Sequence, residues 1–471
     1  MNMSKIEFGS DGIRGIAGEW PLTTFNLVQI GQALGQFMRS RSEHPVAVVG
    51  RDTRPSGVEF WPCLIAGLTS QGIHVVNLGV MTTPGVAFLT RRLEADLGVA
   101  VSASHSPVEY NGIKLVGPKG LRLQREDEIE IEKLIENVPV EIVDPAASQA
   151  QQTSAKNLIE LYVEDHIERC PTESLNSLRV VLDCANGAAT QVAPEAFRRL
   201  GTQVTVVNDA LDGTRINYRC GSEHAREYPK ELANIVRQHG ADYGYAFDGD
   251  GDRLTVVDST GRMYDGNDLL FVLATYYMTQ KQLRGDTLVT TDLANSGLFN
   301  ALSHMGIHVL LTGKGDKNIE AAMWGGDYML GSEPIGNVII NDGYHTAADA
   351  VYAALVLSGI LVRNRPISLA EMVAPLRKWP QKTVTLDLQA SPALEKAVQE
   401  EARRWEAELG NGGRVLCWSA TTEPGRFRIM VEGGFEKTQE QVSEVADAIC
   451  KAIEETAGRL SVDAAVSRVT P

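Results

Sequence analysis

Cysteine pairs, long apolar runs and an excess of positive charge are all missing from this chain of 471 residues. The six cysteines (Cys63, Cys170, Cys184, Cys220, Cys417 and Cys450) form no CxxC pair and no metal-ligand cluster with histidine. That excludes a zinc ribbon or a CxxC redox centre and reads as reduced thiols of a cytoplasmic protein. No stretch approaches the roughly 18 apolar residues that a membrane-spanning helix needs. The opening segment, Met1 to Glu7, carries no apolar signal region. Lysine and arginine number 44 against 60 aspartates and glutamates, a net charge of −16. A general nucleic-acid binder needs a basic footprint, so that class is excluded too. A phosphorylated small substrate stays open, because a few arginines, helix N-termini and a metal ion make a local positive site even in an acidic protein.

What is present is length and ordinary composition. At roughly 100–200 residues per domain the chain suggests about three or four domains. Hydrophobic residues are 43% and charged residues 22%. Short β-branched runs lead into helical patterns again and again: Val46–Val49 into Gly57–Gln71, then His74–Leu78 and Leu97–Val101; Arg179–Leu182 and then Gln203–Val207; Thr287–Thr290 into Leu298–Met305 and then His308–Leu311. Strands alternating with helices of this length predict α/β layers. The recurrence is architectural and follows no strict sequence period. Pro139–Thr153, rich in Ala, Gln and Ser, reads as a linker between helices at Glu126–Glu136 and Asn157–Arg169. Beyond Lys378–Gln381 the texture changes to an alternating stretch (Thr383–Leu388), a charged helix (Leu394–Leu409), a strand (Arg426–Val431) and a last helix (Thr438–Ala457). That pattern predicts a smaller α+β domain.

The densest chemistry lies in Asp248-Gly249-Asp250-Gly251-Asp252-Arg253. Three carboxylates so close repel one another unless a cation neutralises them. In an extended strand the first and third would stand about 13 Å apart. Glycines at positive φ can curl the chain so that the oxygens converge, and hard oxygen ligands favour magnesium or calcium. An EF-hand is excluded, because Arg253 and Ser259 stand where its glycine and glutamate belong. A haloacid-dehalogenase-type phosphatase would use the first aspartate of such a run but leaves the next motif unexplained. That motif is Ser102-Ala103-Ser104-His105-Ser106-Pro107, followed by Asn111-Gly112-Ile113-Lys114. A serine projecting from a tight loop after a strand takes part in phosphoryl transfer when activated or already phosphorylated, with His105 and Lys114 as proton or charge partners. Two further loops, Gly9–Gly15 with Arg14 and Gly50-Arg51-Asp52-Thr53-Arg54, set arginine beside glycine. Arginine forks match phosphate oxygens, and structural turns explain either loop alone equally well.

In order and spacing these motifs, with Gly331–Asn337 and Thr422-Glu423-Pro424, resemble the α-D-phosphohexomutase family from the first residues to about residue 435. The segments Asp183–Ala188 and Ile216–Ser222 resemble its phosphoglucosamine mutase branch. The resemblance implies four domains around a central cleft: three similar α/β domains, here 1–150, 151–256 and 257–375, and a C-terminal α+β domain, 376–471. It implies that Ser104 carries a phosphate and that Asp248, Asp250 and Asp252 bind one magnesium ion with it. Lys114 and Arg253 would flank the transferring group, and Arg14 and His105 would complete the catalytic set. Glu333, Lys317, Thr422, Arg426 and Arg428 are the expected substrate-binding residues. The implied reaction moves phosphate between the 6- and 1-positions of a hexose through a bisphosphorylated sugar, which also acts as activator. Glucosamine phosphate is the expected substrate, ahead of mannose or glucose phosphates, for a monomer or homodimer.

The chain departs from the family pattern in the loops that read the sugar. The usual Gly-Glu-x-Ser-Gly-His is here Ser332-Glu333-Pro334-Ile335-Gly336-Asn337. Ile335 removes a hydroxyl donor, and an unmade hydrogen bond costs about 1–3 kcal/mol. In the distal phosphate loop Trp418, Ala420 and Thr421 replace arginine, serine and glycine, leaving Arg426 as a substitute clamp. Ser106 stands where the serine loop usually has asparagine. Two other readings fit the scaffold: a sugar-phosphate binder without turnover, and a magnesium-dependent phosphatase or bisphosphate synthase.

Overall fold

The computed structural model describes residues 5–9, 11–138, 143, 155–387, 392–406, 409–419, 426–459 and 468–469. The chain forms two compact units, residues 1–291 with 310–372, and residues 292–309 with 373–471.

The larger unit holds three sheets. The first contains β1 (Ile13–Ile16), β2 (Val46–Arg51), β3 (His74–Val80), β4 (Leu97–Val101) and β5 (Tyr110–Val116), in the order β1-β5-β4-β2-β3. The second contains β6 (Arg179–Asp183), β7 (Gln203–Val207), β8 (Tyr243–Phe247), β9 (Leu254–Asp258) and β10 (Met263–Tyr264), in the order β10-β9-β8-β6-β7. The third contains β11 (Thr287–Thr291), β12 (His308–Thr312), β13 (Leu330–Ser332) and β14 (Val338–Ile340), in the order β12-β11-β13-β14. The strands expected from the β-branched runs all form. Their central members are continuous buried apolar stretches, as strands covered on both faces must be.

One plan underlies the three sheets. In each, a parallel pair (β2 with β4, β6 with β8, β11 with β13) is followed by an antiparallel return (β5, β9, β14). The loop making that return is the serine loop in the first sheet, the aspartate loop in the second and the Glu333 loop in the third. Three motifs far apart in sequence therefore occupy one topological position.

Helix starts are specified locally. Thr82 caps the helix Thr83–Arg92 by accepting from Gly85 N, with Pro84 in its first turn. Asp265 and Asp268 form a capping box on Gly266–Thr279. Asp349 caps Ala350–Arg363 through Tyr352 N. The helix expected from Gly57 begins earlier, at Pro55, because proline's fixed φ suits a first helical position.

The smaller unit contains a sheet of β15 (Gln381–Asp387), β16 (Arg414–Ser419), β17 (Arg426–Glu432) and β18 (Arg468–Val469), ordered β16-β17-β15-β18 and antiparallel throughout. Helices Pro392–Glu406 and Gln439–Arg459 supply Val398, Val442, Ala446 and Ile449 to its core. Buried Glu432 ties in the segment at Ser296, accepting from its backbone N at 3.0 Å and from its hydroxyl.

Candidate functional site

Ser104 sits in the left-handed region, with φ +52°, uncommon for a residue with a side chain. The loop is held in that shape from several sides. Ser104 N donates to Ser102 Oγ at 2.9 Å, and Ser102 Oγ donates to Asp52 Oδ2 at 2.6 Å. Asp52 in turn holds Arg54 Nε at 3.0 Å. The wholly buried Arg54 guanidinium then donates to the carbonyls of Ser104 (2.9 Å), Ser106 (2.7 Å), Tyr110 (3.0 Å) and Pro107. Asn217 Nδ2 adds a bond to Ser104 O at 2.8 Å. Of the two explanations open for Gly50–Arg54, the structural one holds for Arg54: its donors are spent on the serine loop.

Ser104 Oγ donates to Asp248 Oδ2 at 2.6 Å, which brings the two strongest sequence motifs together. Asp248, Asp250 and Asp252 converge, one carboxylate oxygen of each lying within 4.8 Å of the others. The glycines between them do different jobs. Gly251 takes φ +75° and turns the chain. Gly249 has no positive φ; a Cβ there would meet Ser104 O at 2.7 Å, so glycine permits close approach of the two loops. Asp248 Oδ1 accepts from the backbone N of Asp252 (3.0 Å) and of Arg253 (3.1 Å). Asp250 Oδ2 accepts from Thr83 Oγ1 at 2.5 Å and from Lys114 Nζ at 2.9 Å. Asp250 Oδ1 and Asp252 Oδ1 are buried with no hydrogen-bond partner. Burial, then the charges of Asp252 and Asp250, push the Asp248 carboxyl well above its ordinary range. Two orphaned oxygens and an Asp248 carboxyl raised by burial and its neighbours, in an all-oxygen donor set, fit a hard divalent cation.

Cationic groups stand around this centre. Lys114 is buried; its burial opposes the charge, but Asp11, Asp250 and Asp252 outweigh it and keep the ammonium protonated. Arg14 donates to Ala103 O at 2.9 Å and to Ser106 Oγ at 3.3 Å, and pairs with Asp11. Arg253 is held by Glu223 Oε1 at 2.7 Å. His105 Nδ1 lies 3.4 Å from Ser104 Oγ, and burial, then Arg253, pull its imidazole down to about 3.

The third loop adjoins the second. Leu254 N donates to Gly336 O at 3.0 Å and Asn337 Nδ2 to Asp252 O at 3.3 Å. Glu333 Oε1 accepts from Gly315 N at 3.0 Å, and burial, then Asp316, push its carboxyl up to about 7. Ile335 is half-buried in this loop. Lys317, in the first turn of the helix Asp316–Gly325, pairs with Glu128 Oε1 at 2.7 Å. Arg428 lies on β17 opposite Thr385 and Trp418, in the smaller unit. Arg426 begins the same strand, and Thr422 lies outside the described residues.

Three family models, described as phosphoglucomutase/phosphomannomutase alpha/beta/alpha domains I, II and III, match residues 5–140, 160–261 and 265–379. A phosphoglucosamine mutase of Clostridioides difficile is 37% identical over 453 residues, 95% of this chain and 98% of the relative. One of Mycobacterium ulcerans is 38% identical over 451 residues, 94% and 99% of the two chains. The chain belongs to the phosphohexomutase family. It is an enzyme of the phosphosugar mutase class. Its fold matches a phosphoglucomutase/phosphomannomutase family protein of Burkholderia thailandensis with a TM-score of 0.80 at 23% identity, covering 98% and 99% of the two chains. It matches parafusin, a phosphoglucomutase of Paramecium, with a TM-score of 0.75 at 16% identity, covering 99% and 97%.

Several groups in this phosphohexomutase site are not signalled by the motifs. Thr83, from the start of a helix, binds Asp250 through both its hydroxyl and its backbone N. Glu223 positions Arg253, and Arg122 joins Asp11 to Asp316. Asp11 lies inside the Gly9–Gly15 loop and was within reach of the Arg14 argument. Thr83, Arg122 and Glu223 are single residues in unrelated segments, visible only once the chain is folded.

Proposed function

We propose that this mutase interconverts glucosamine 6-phosphate and glucosamine 1-phosphate through a phosphate carried on Ser104. The supporting observation is the 2.6 Å contact of Ser104 Oγ with Asp248, beside the orphaned oxygens of Asp250 and Asp252. The sugar is taken from the relatives, which are phosphoglucosamine mutases.

Asp248, Asp250 and Asp252 would hold one magnesium ion together with the seryl phosphate. Magnesium bound there would offset charge on the equatorial phosphate oxygens. In the first half-reaction a free sugar hydroxyl forms a new O–P bond as the Ser104 Oγ–P bond breaks, and the net proton moves from that hydroxyl to Ser104 Oγ, beside which His105 Nδ1 stands at 3.4 Å. Lys114 and Arg253 face the transferring group as fixed charges, preorganised by Asp250 and Glu223. The bisphosphorylated sugar turns round at the site, and its other phosphate returns to Ser104 in the reverse step. Glu333 binds sugar hydroxyls as a carboxylate; Lys317, Thr422, Arg426 and Arg428 are further substrate-binding residues on this reading by their sequence positions alone. Ile335, in place of a hydroxyl residue, supports a second reading in which mannose or glucose phosphate is used.

The test is an assay with magnesium and a sugar 1,6-bisphosphate on glucosamine 6-phosphate, mannose 1-phosphate and glucose 1-phosphate. Isomerised glucosamine phosphate as the fastest product supports the proposal. Faster conversion of either other sugar supports the second reading, and release of free phosphate alone overturns both.

A further inference from the structure

A second cluster of ligand-type side chains lies in the larger unit, apart from the serine and aspartate loops. It joins His166, on the helix Ala155–Glu168, to His345 and Asp349, which precede the helix Ala350–Arg363. All three are buried, at 0%, 3% and 2% exposure. One donor atom from each lies within 4.8 Å of the others.

The hydrogen bonds around the cluster fix what faces its centre. His166 Nδ1 lies 2.7 Å from Tyr162 O, a pure acceptor, so Nδ1 carries the proton. Its Nε2 then points a lone pair inward, buried and without a hydrogen-bond partner. His345 Nε2 lies 2.8 Å from Asp165 Oδ2, so Nε2 carries that proton and Nδ1 is the inward atom. Asp349 Oδ2 stands 3.2 Å from His166 Nε2 and 3.4 Å from His345 Nδ1. With both rings neutral, His166 Nε2, His345 Nδ1 and Asp349 Oδ2 face one another as acceptors; with no metal bound, burial lowers the His345 imidazole but its bonds to Asp165 and Asp349 outweigh that and raise it to about 9.

Each histidine is thus set as metal-bound histidines are, with its outer N–H on a backbone carbonyl or a carboxylate. The two nitrogen–oxygen spacings fit as well. Zinc bonds of about 2.0–2.1 Å place tetrahedral donors about 3.3–3.4 Å apart. Tyr162 Oη donates to Asp349 Oδ2 and fixes that oxygen in place. Asp165, Asp342 and Asp349 set three carboxylates against Arg169 and the His345 imidazolium, and a zinc ion would take the place of the inward His345 proton.

We propose that His166, His345 and Asp349 form a buried three-ligand site for one zinc ion, tying the helix Ala155–Glu168 to the start of the helix Ala350–Arg363. Its nitrogen-rich donors separate it from the all-oxygen aspartate centre, which suits magnesium.

The experiment uses the full chain stripped of metal and titrated with zinc, and with cobalt(II) as a spectroscopic stand-in. A double variant, Asp248→Asn with Asp252→Asn, removes the first centre. The expected result is one equivalent of tightly bound zinc in both the wild type and that variant, with cobalt giving intense tetrahedral visible bands. His166→Gln is expected to weaken binding at least about 100-fold, beyond the loss of an outer partner. Should His166→Gln fail to fold, the cobalt spectrum of the double variant decides alone. Absent tetrahedral bands, or zinc affinity unchanged by His166→Gln, would overturn the site and leave an imidazolium–carboxylate network.

Discussion

The loops that follow β8 and β13 leave equivalent strands of equivalent sheets and touch one another, yet their chemistry differs. The first crowds Asp248, Asp250, Asp252 and Arg253 into six residues, all tied to Ser104, Lys114, Thr83 or Glu223. The second carries one carboxylate, Glu333, anchored by a single backbone N–H and raised to about 7 by burial and Asp316. The fold supplies a position three times over, and the residues placed there divide the work. On the proposed reading the serine and aspartate loops carry the reaction, and the Glu333 loop meets the sugar. Substitutions in the first two should therefore act on kcat, and those in the third on KM and choice of sugar.

The comparison breaks hardest at Ser104. Ser104→Ala should lower kcat by at least about 10³-fold, as loss of a nucleophile does, with the circular dichroism spectrum unchanged. Asp250→Asn should lower kcat/KM more than about 100-fold and move the magnesium titration to higher concentration, since it loses a ligand oxygen and weakens the hold on Lys114. Wild-type magnesium dependence in that variant would refute the metal assignment.

The support beneath the reaction loop is tested by Arg54→Met. It leaves buried Asp52 without its cationic partner and should cost about 3–5 kcal/mol in urea unfolding. A cost of about 1 kcal/mol or less, as for a surface pair, would show that Arg54 does not hold the serine loop.

Glu333 sharpens the contrast through pH. Its folded carboxyl is raised to about 7, so it is protonated below that pH and a carboxylate above it. KM for the sugar phosphate should fall as pH rises through about 7. Glu333→Gln should raise KM about tenfold above that pH and flatten the profile. The sign for stability is opposite: a raised carboxyl favours the fold below its unfolded value, and that advantage is lost as pH rises through about 7. Glu333→Gln should thus gain on the wild type in thermal stability between acid and alkaline pH. The smallest change is expected from Ile335→Ser, which should shift the ratio of kcat/KM between sugars by less than about tenfold and leave kcat on the best sugar unaltered.

Much of the site was legible before folding because its charge is locally dense. Three aspartates in five residues and a serine before Pro107 demand an explanation whatever surrounds them. The β-branched runs placed the strands, and the change in texture after Lys378 pointed to an α+β domain there, though not to the strand Arg414–Ser419 or the antiparallel pairing. The threefold topology was legible only as recurrence, because the matched loops share a position and no residues. Arg54 shows a different limit: arginine beside glycine suits a phosphate and a carbonyl cage alike, and only the fold decides which. The His166, His345 and Asp349 cluster joins residues up to 183 positions apart in a run with no motif spacing.

The central claim is that Ser104 carries the phosphate, and tandem mass spectrometry of the purified chain tests it most directly. The account predicts one phosphate on Ser104 after incubation with a sugar 1,6-bisphosphate and magnesium, lost when excess sugar monophosphate is added and absent in Ser104→Ala. An unphosphorylated Ser104 in a preparation that turns over, or a Ser104→Ala variant with wild-type turnover, would contradict it.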